Sequence, residues 1–192
     1  MADWDERACI QAAKEDPSAF AELYERYVDR IYSYIYHRVG NVHDAEDLTS
    51  RTFYRALAHL PEYEDKGLPF SAWLYRIAHN LVANWHRDRK RRPVVALDEL
   101  ITKSLPDQHP ETLAEAEDDT RLLREVIREL DPVRQELLVL KFTEGLSNAE
   151  IGAILGRTEG AIKSLYHRTL LQLRRELAKR GVKIDERTVR NT

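Results

Sequence analysis

The stretch K-F-T-E-G-L-S-N-A-E-I-G-A-I-L-G-R-T-E-G-A-I-K-S-L-Y-H-R-T-L-L-Q-L-R-R, from Lys141 to Arg175, reads as two helices joined by a tight turn. Ser147 with Glu150 three residues later forms a capping box, opening a short helix that carries Ile151, Ile154 and Leu155 inward. Gly156 ends it. The turn Gly156-Arg157-Thr158 leads into a second helix, where Thr158 is a cap and Glu159 complements the positive helix end. In that helix Ile162, Leu165, Tyr166, Thr169, Leu170 and Leu173 recur at helical spacing as one buried stripe. The other side carries Lys163, Ser164, His167, Arg168, Arg174 and Arg175. A helix-turn-helix has this pattern, and its second helix reads bases near the N-terminal end and holds phosphates further along. A structural helical hairpin with a solvated basic face shares the pattern, so the hairpin alone leaves both readings open.

Charge along the chain separates its parts. The formal net charge is −3, but residues 1–93 sum to −1, residues 94–120 to −7 and residues 121–192 to +5. A basic C-terminal domain at 117–181 is therefore divided from an N-terminal domain at 1–93 by an acidic, Pro-containing stretch at 94–116, with a short tail at 182–192. The stretch predicts a weakly structured linker. At 192 residues the chain suits one large or two small domains. Cys9 is the only cysteine, so no disulfide framework or cysteine-rich zinc site is available, and a reducing cytoplasm fits. The N-terminus lacks a signal sequence and no run has the roughly 18 apolar residues of a membrane span, so membrane insertion is not expected. No P-loop, metal-ligand spacing or nucleophile elbow is present; neither an enzyme nor a cofactor is expected. The seven histidines are scattered, with His37 and His43 read as surface residues.

The first domain shows helical periodicity throughout and no strand pattern. Asp16-Pro17 reads as a cap and first-turn proline, followed by Phe20, Leu23, Tyr24, Tyr27, Val28, Ile31, Ile35 and Val39 on one face, with Gly40 as the stop. Asn41 caps a second helix lined by Ala45, Leu48, Thr52, Phe53, Ala56, Leu57 and Leu60, and Pro61 breaks the chain. After the loop Pro61 to Pro69, a third long helix begins near Phe70 and runs into the basic cluster Arg87 to Arg92. At about 100° per residue its side chains sort into two stripes. Leu74, Ile77, Ala78, Leu81 and Trp85 form a core stripe; Trp73, Arg76, Asn80, Asn84 and Arg87 form the column beside it. Aromatics that stack on bases, amides that bond their edges and guanidiniums that hold phosphates suit unpaired nucleic acid. Trp73 as a core residue and Asn80 as a loop-bracing amide are the structural alternatives.

Three motifs in series then resemble one family: D-A-E-D-L-T-S-R-T-F-Y-R-A-L at Asp44 to Leu57, F-S-A-W-L-Y-R-I-A-H-N-L at Phe70 to Leu81, and the C-terminal hairpin. The chain resembles bacterial RNA polymerase sigma factors of the extracytoplasmic-function (ECF) group. The resemblance implies an all-α protein of two small helical domains joined by a flexible acidic linker, the second a helix-turn-helix domain. It implies core RNA polymerase and promoter DNA, duplex and melted, as partners, and an anti-sigma factor as a further one. Asp44, Glu46 and Asp47 match the segment that grips the polymerase clamp helices, with Phe53 packing beneath; first-turn dipole complementation is the structural alternative for the acids. Tyr63, Phe70, Trp73, Arg76, Asn80 and Asn84 match the part that reads and melts the minus-ten element, with Arg87, Arg89, Lys90, Arg91 and Arg92 on phosphates. Lys163, Ser164 and His167 are the base-edge candidates at the minus-thirty-five element, and Arg157, Arg168, Arg174 and Arg175 the phosphate candidates. Ser50, Arg51, His79 and Leu165 depart from the residues usual in the family. A stand-alone helix-turn-helix regulator would not require the first domain's motifs, and a helical adaptor would need neither the Asn80 column nor the basic helix end.

Overall fold

The computed structural model describes residues 4–89 and 113–182, and every regular element among the described residues is helical. Asp5 opens α1 (Glu6–Glu15), a helix absent from the reading above, by accepting bonds from the amides of Arg7 and Ala8. Asp16 caps as expected but opens only a 3₁₀ turn, Pro17–Ala19, before α2 (Phe20–Val39). Gly40 ends α2 in the left-handed region at φ 66°, where glycine carries no side-chain penalty. Asn41 then caps α3 (Val42–His59) through the amide of Asp44. A 3₁₀ turn at Leu60–Glu62 and a loop precede α4 (Phe70–Arg89).

Leu23, Ile31, Ile35, Leu48, Leu74 and Ala78 form the sealed centre of this first bundle. Two expectations are corrected. Tyr24 is 41% exposed, because it lies at the margin of the α2 stripe and covers Phe53 edge-on with centroids 4.8 Å apart. His37, read as a surface residue, is buried.

The second half comprises α5 (Leu113–Glu129), α6 (Pro132–Leu138), a π turn at Val139–Thr143, α7 (Asn148–Leu155) and α8 (Glu159–Lys179). Helix α5 starts at Leu113, so the last four residues of the expected linker are helical; residues 94–112 lie outside the described residues. Acidic residues suit the opening turns of a helix as well as a solvated linker, so charge alone does not show where the helix begins. Gln135 donates its side-chain amide to the carbonyls of Ile127, Arg128 and Leu130, satisfying the end of α5. Arg180 ties the far end of α8 back to Glu129 at 2.6 Å.

The helix-turn-helix forms as its local signals predict. Both bonds of the Ser147–Glu150 capping box are made, Gly156 ends α7 at φ 65°, and Thr158 caps α8 through the amide of Ala161. Ile162, Leu165, Thr169 and Leu173 are buried. The turn is tight because the Arg157 amide closes back on the Gly152 carbonyl at 2.8 Å. A Cβ at Gly152 would stand 2.6 Å from the Arg157 carbonyl oxygen, which is backbone and has no rotamer to yield. Gly152→Ala is therefore expected to destabilise the second domain by about 1–3 kcal/mol, the cost of overpacking, and urea unfolding followed by circular dichroism measures it.

The halves are joined by packing of α7 along α4 and of the π turn against α2. No helix among the described residues is long and apolar enough to cross a membrane.

Candidate polymerase and nucleic-acid interface

The column on α4 is a real surface: Arg76, Asn80 and Arg87 are exposed, and Trp73 and Asn84 are half-buried. Trp73 meets Tyr63 with centroids 4.9 Å apart, and both rest on Phe70 at 5.3 and 5.2 Å. Phe70 has no exposed surface and also touches Tyr27 at 5.9 Å, so it is the floor beneath the other two rings and not a face open to a base. Its place at the first residue of α4, one turn before buried Leu74, turns it inward. Above this floor lies a cavity of about 330 Å³ walled by Lys66, Tyr63, Trp73, Arg76 and, from the second half, Ala153. That volume is within the range of about 300–1,000 Å³ that holds small ligands.

Helix α1 holds the loop that makes this cavity. Lys14 donates from Nζ to the Tyr63 carbonyl at 2.7 Å, and Arg7 pairs with Asp65 at 3.0 Å. The Glu6 carboxylate accepts from the Tyr27 hydroxyl and from the Phe70 amide at 3.3 Å, covering an orphan donor at the start of α4. Burial, with Glu6 beside it, raises the Tyr27 hydroxyl pKa, so the phenol stays a donor. Glu6, Arg7, Lys14 and Asp65, which make these contacts, were not singled out from the sequence.

Arg89 bonds Asp44 at 2.8 Å and lies 4.9 Å from the centre of the Trp85 ring. A residue expected on phosphate thus holds one expected on polymerase, linking α4 to the first turn of α3. Lys90, Arg91 and Arg92 lie outside the described residues.

On α3, Glu46 and Asp47 are exposed, Asp44 is half-buried and Phe53 is buried at 4% exposure. Arg51 reaches Asp47 at 3.4 Å, so one departure from the family pattern partly neutralises a candidate acid. Sequence reasoning missed Tyr54. It is 75% exposed on the same outer face as Asp47, Ser50 and Arg51, and its only signal was the Phe53-Tyr54 pair, of which one ring must point outward.

On α8, Lys163, Ser164, His167 and Arg168 share an exposed face, with Arg157 exposed in the turn and Arg175 exposed further along; Arg174 is half-buried. Lys163 pairs with Glu159 at 2.8 Å, an exposed contact of about 0–1 kcal/mol that a phosphate or base edge readily replaces. Leu165 is buried and offers no phosphate contact. Among the described residues no group of three or more His, Cys, Asp or Glu is placed to hold a metal ion.

An aromatic-walled cavity in the first half and a helix-turn-helix in the second stand in a DNA-binding protein of the sigma-70 type. Residues 23–92 match the family model of Sigma-70 region 2, and residues 120–173 that of Sigma-70 region 4. The chain is 40% identical to the ECF RNA polymerase sigma factor BldN of Streptomyces coelicolor, over 92% of this chain and 66% of that one. It is 34% identical to the ECF RNA polymerase sigma factor SigW of Bacillus subtilis, over 87% of this chain and 93% of that one. The fold matches CnrH solved in complex with the cytosolic domain of CnrY, with TM-score 0.61 and 23% identity over 91% of this chain and 97% of that one. It also matches the sigma factor RpoE solved with the anti-sigma factor NepR from Bartonella quintana, with TM-score 0.56 and 22% identity over 83% and 96%. The chain belongs to the ECF RNA polymerase sigma factors, transcription-initiation subunits that act with RNA polymerase at promoters.

Proposed function

We propose that α3 docks this chain on core RNA polymerase, that the first domain captures an unpaired base of the minus-ten element, and that the second grips the minus-thirty-five duplex. The observation that carries the division of labour is the Tyr63–Trp73–Arg76 cavity, continued along α4 by exposed Asn80. An aromatic wall takes the face of a flipped base while a guanidinium stands ready for phosphate, so capture offsets the few kcal/mol or so of unstacking and unpairing. Recognition and strand opening then become one step.

Glu46 and Asp47 supply charge that orients the approach to basic clamp helices, and Tyr54 supplies the aromatic anchor that charge alone does not. CnrH and RpoE are each described with a bound partner, which supports an anti-sigma factor as a third partner of this chain, acting in the cytoplasm. The protein assists polymerase chemistry and performs none itself.

The test is reconstitution with core polymerase, mapping of transcript starts and permanganate probing of unpaired thymines. Starts clustered behind a shared pair of elements are expected; core polymerase that starts no more selectively with the chain than without it would sink the proposal. Within that system, replacing Lys163, Ser164 or His167 is expected to cost about 1–3 kcal/mol and relax base preference at single upstream positions. Alanine at Arg157, Arg168 or Arg175 is expected to weaken all sequences evenly and flatten the salt dependence. Competitive binding across promoter variants at several salt concentrations separates the two.

A further inference from the structure

We propose that the two halves of the chain are held closed on each other by a latch centred on Glu136, and that in this state α7 of the second domain covers the approach to the minus-ten pocket, in competition with single-stranded DNA. The inference rests on the reading of that pocket given above.

Glu136 belongs to α6 in the second domain, yet its bonding partners lie in the first. Its carboxylate accepts the Tyr34 hydroxyl of α2 at 2.5 Å, stands 2.7 Å from His79 Nδ1 of α4 and faces the Arg38 guanidinium of α2 at 3.4 Å. Three of the four groups are withdrawn from water, Glu136 at 3% exposure, Arg38 at 5% and Tyr34 at 0%, while His79 lies part-exposed at the rim. Burial pushes the Glu136 carboxyl pKa up, but Arg38, His79 and Tyr34 outweigh it and hold the group below the usual carboxylate range, as an anion. A second contact repeats the arrangement. Glu144, at the end of the π turn, accepts the Tyr75 hydroxyl of α4 on its carboxylate and an Arg30 guanidinium N–H of α2 on its carbonyl at 3.3 Å.

A seam of this chemistry sets a docking register without locking it. A buried ion pair contributes little net stability, because desolvation offsets attraction, and each member regains water when the halves part. Helix α7 packs along α4, and Ala153 stands in the wall of the cavity with Trp73 and Arg76. The α8 face of Lys163, Ser164, His167 and Arg168 stays exposed in the closed state. Closure therefore masks base capture and leaves the duplex-reading face open, so polymerase docking has to separate the halves before the pocket can fill. His79, a departure from the family pattern, acquires a role here as a partner in the latch.

The test uses the full chain with Glu136→Gln, Tyr34→Phe and the double variant. Compactness is read by small-angle X-ray scattering. Affinity is read with a fluorescent oligonucleotide carrying the non-template minus-ten strand of a promoter mapped for the reconstituted polymerase. Glu136→Gln is expected to enlarge the particle and tighten oligonucleotide binding about tenfold, as the competent population rises. Tyr34→Phe should act in the same direction and more weakly, and since the amide oxygen left by Glu136→Gln still accepts the Tyr34 hydroxyl, the double variant should open the seam at least as far as Glu136→Gln. If Glu136→Gln does not fold, His79→Ala at the rim reads the same contact. Unchanged scattering, or expansion with no gain in affinity, would overturn the latch. Persistence of the gain when Trp73→Ala is added would leave the latch standing and overturn the pocket reading instead.

Discussion

Trp73→Ala is expected to slow open-complex formation by the assembled polymerase about 10- to 100-fold while leaving its hold on the upstream duplex unchanged. Stacking of one base on an aromatic ring is worth about 1–3 kcal/mol by alanine substitution, and each 1.4 kcal/mol is a factor of ten. The indole is half-buried, with Tyr63 on one side and Phe70 beneath, so it is held in place before any strand arrives. That preparation means little ordering remains to be done on capture. Permanganate reactivity of minus-ten thymines against time measures opening, and footprinting of the minus-thirty-five element measures the hold. Trp73→Phe keeps an aromatic face and should recover most of the rate. Equal opening by Trp73→Ala and the parent would remove this ring from the pocket's chemistry.

Phe70 makes the contrast instructive. From the sequence it belongs with Trp73 as a base contact, and the two lie three residues apart on one helix. In the fold Phe70 is fully buried and touches Tyr27 of α2, so its replacement would collapse the floor and report stability. Which of two neighbouring aromatics is floor and which is face depends on α2 packing from behind, and that contact crosses more than forty residues. The same distinction governs what else was legible. Ser147 with Glu150, Gly156, Thr158, Gly40 and Asn41 act within a few residues of themselves, and each makes the cap or stop its identity predicts. Glu6 on the Phe70 amide, Lys14 on the Tyr63 carbonyl and Glu136 in the Tyr34–Arg38–His79 socket act across 49 to 102 residues. A lone carboxylate in an amphipathic helix carries no mark of a distant partner, so local periodicity had nothing to detect.

Phe53→Ala and Tyr54→Ala, one residue apart on α3, are expected to fail in opposite ways. Phe53 is 4% exposed and meets Tyr24 and Phe20 edge-on at 4.8 and 6.4 Å. Its truncation should cost about 3–5 kcal/mol of folding stability, a large share of the roughly 5–15 kcal/mol that holds a domain together. Weak polymerase association by that variant would therefore record an unfolded first domain. Tyr54 is 75% exposed and its removal should leave stability within about 0.5 kcal/mol. If α3 is the polymerase face, Tyr54→Ala should nevertheless weaken binding to core polymerase by about 1–3 kcal/mol, as an interfacial aromatic anchor does. Asp47→Asn should act differently again, slowing association at low salt more than it raises dissociation, and only partly, because Arg51 already screens that carboxylate at 3.4 Å. Thermal melting of each variant, beside surface-plasmon measurement of association and dissociation with core polymerase, resolves the three. Tyr54→Ala and Asp47→Asn that fold normally and bind as the parent does would move the polymerase contact off α3.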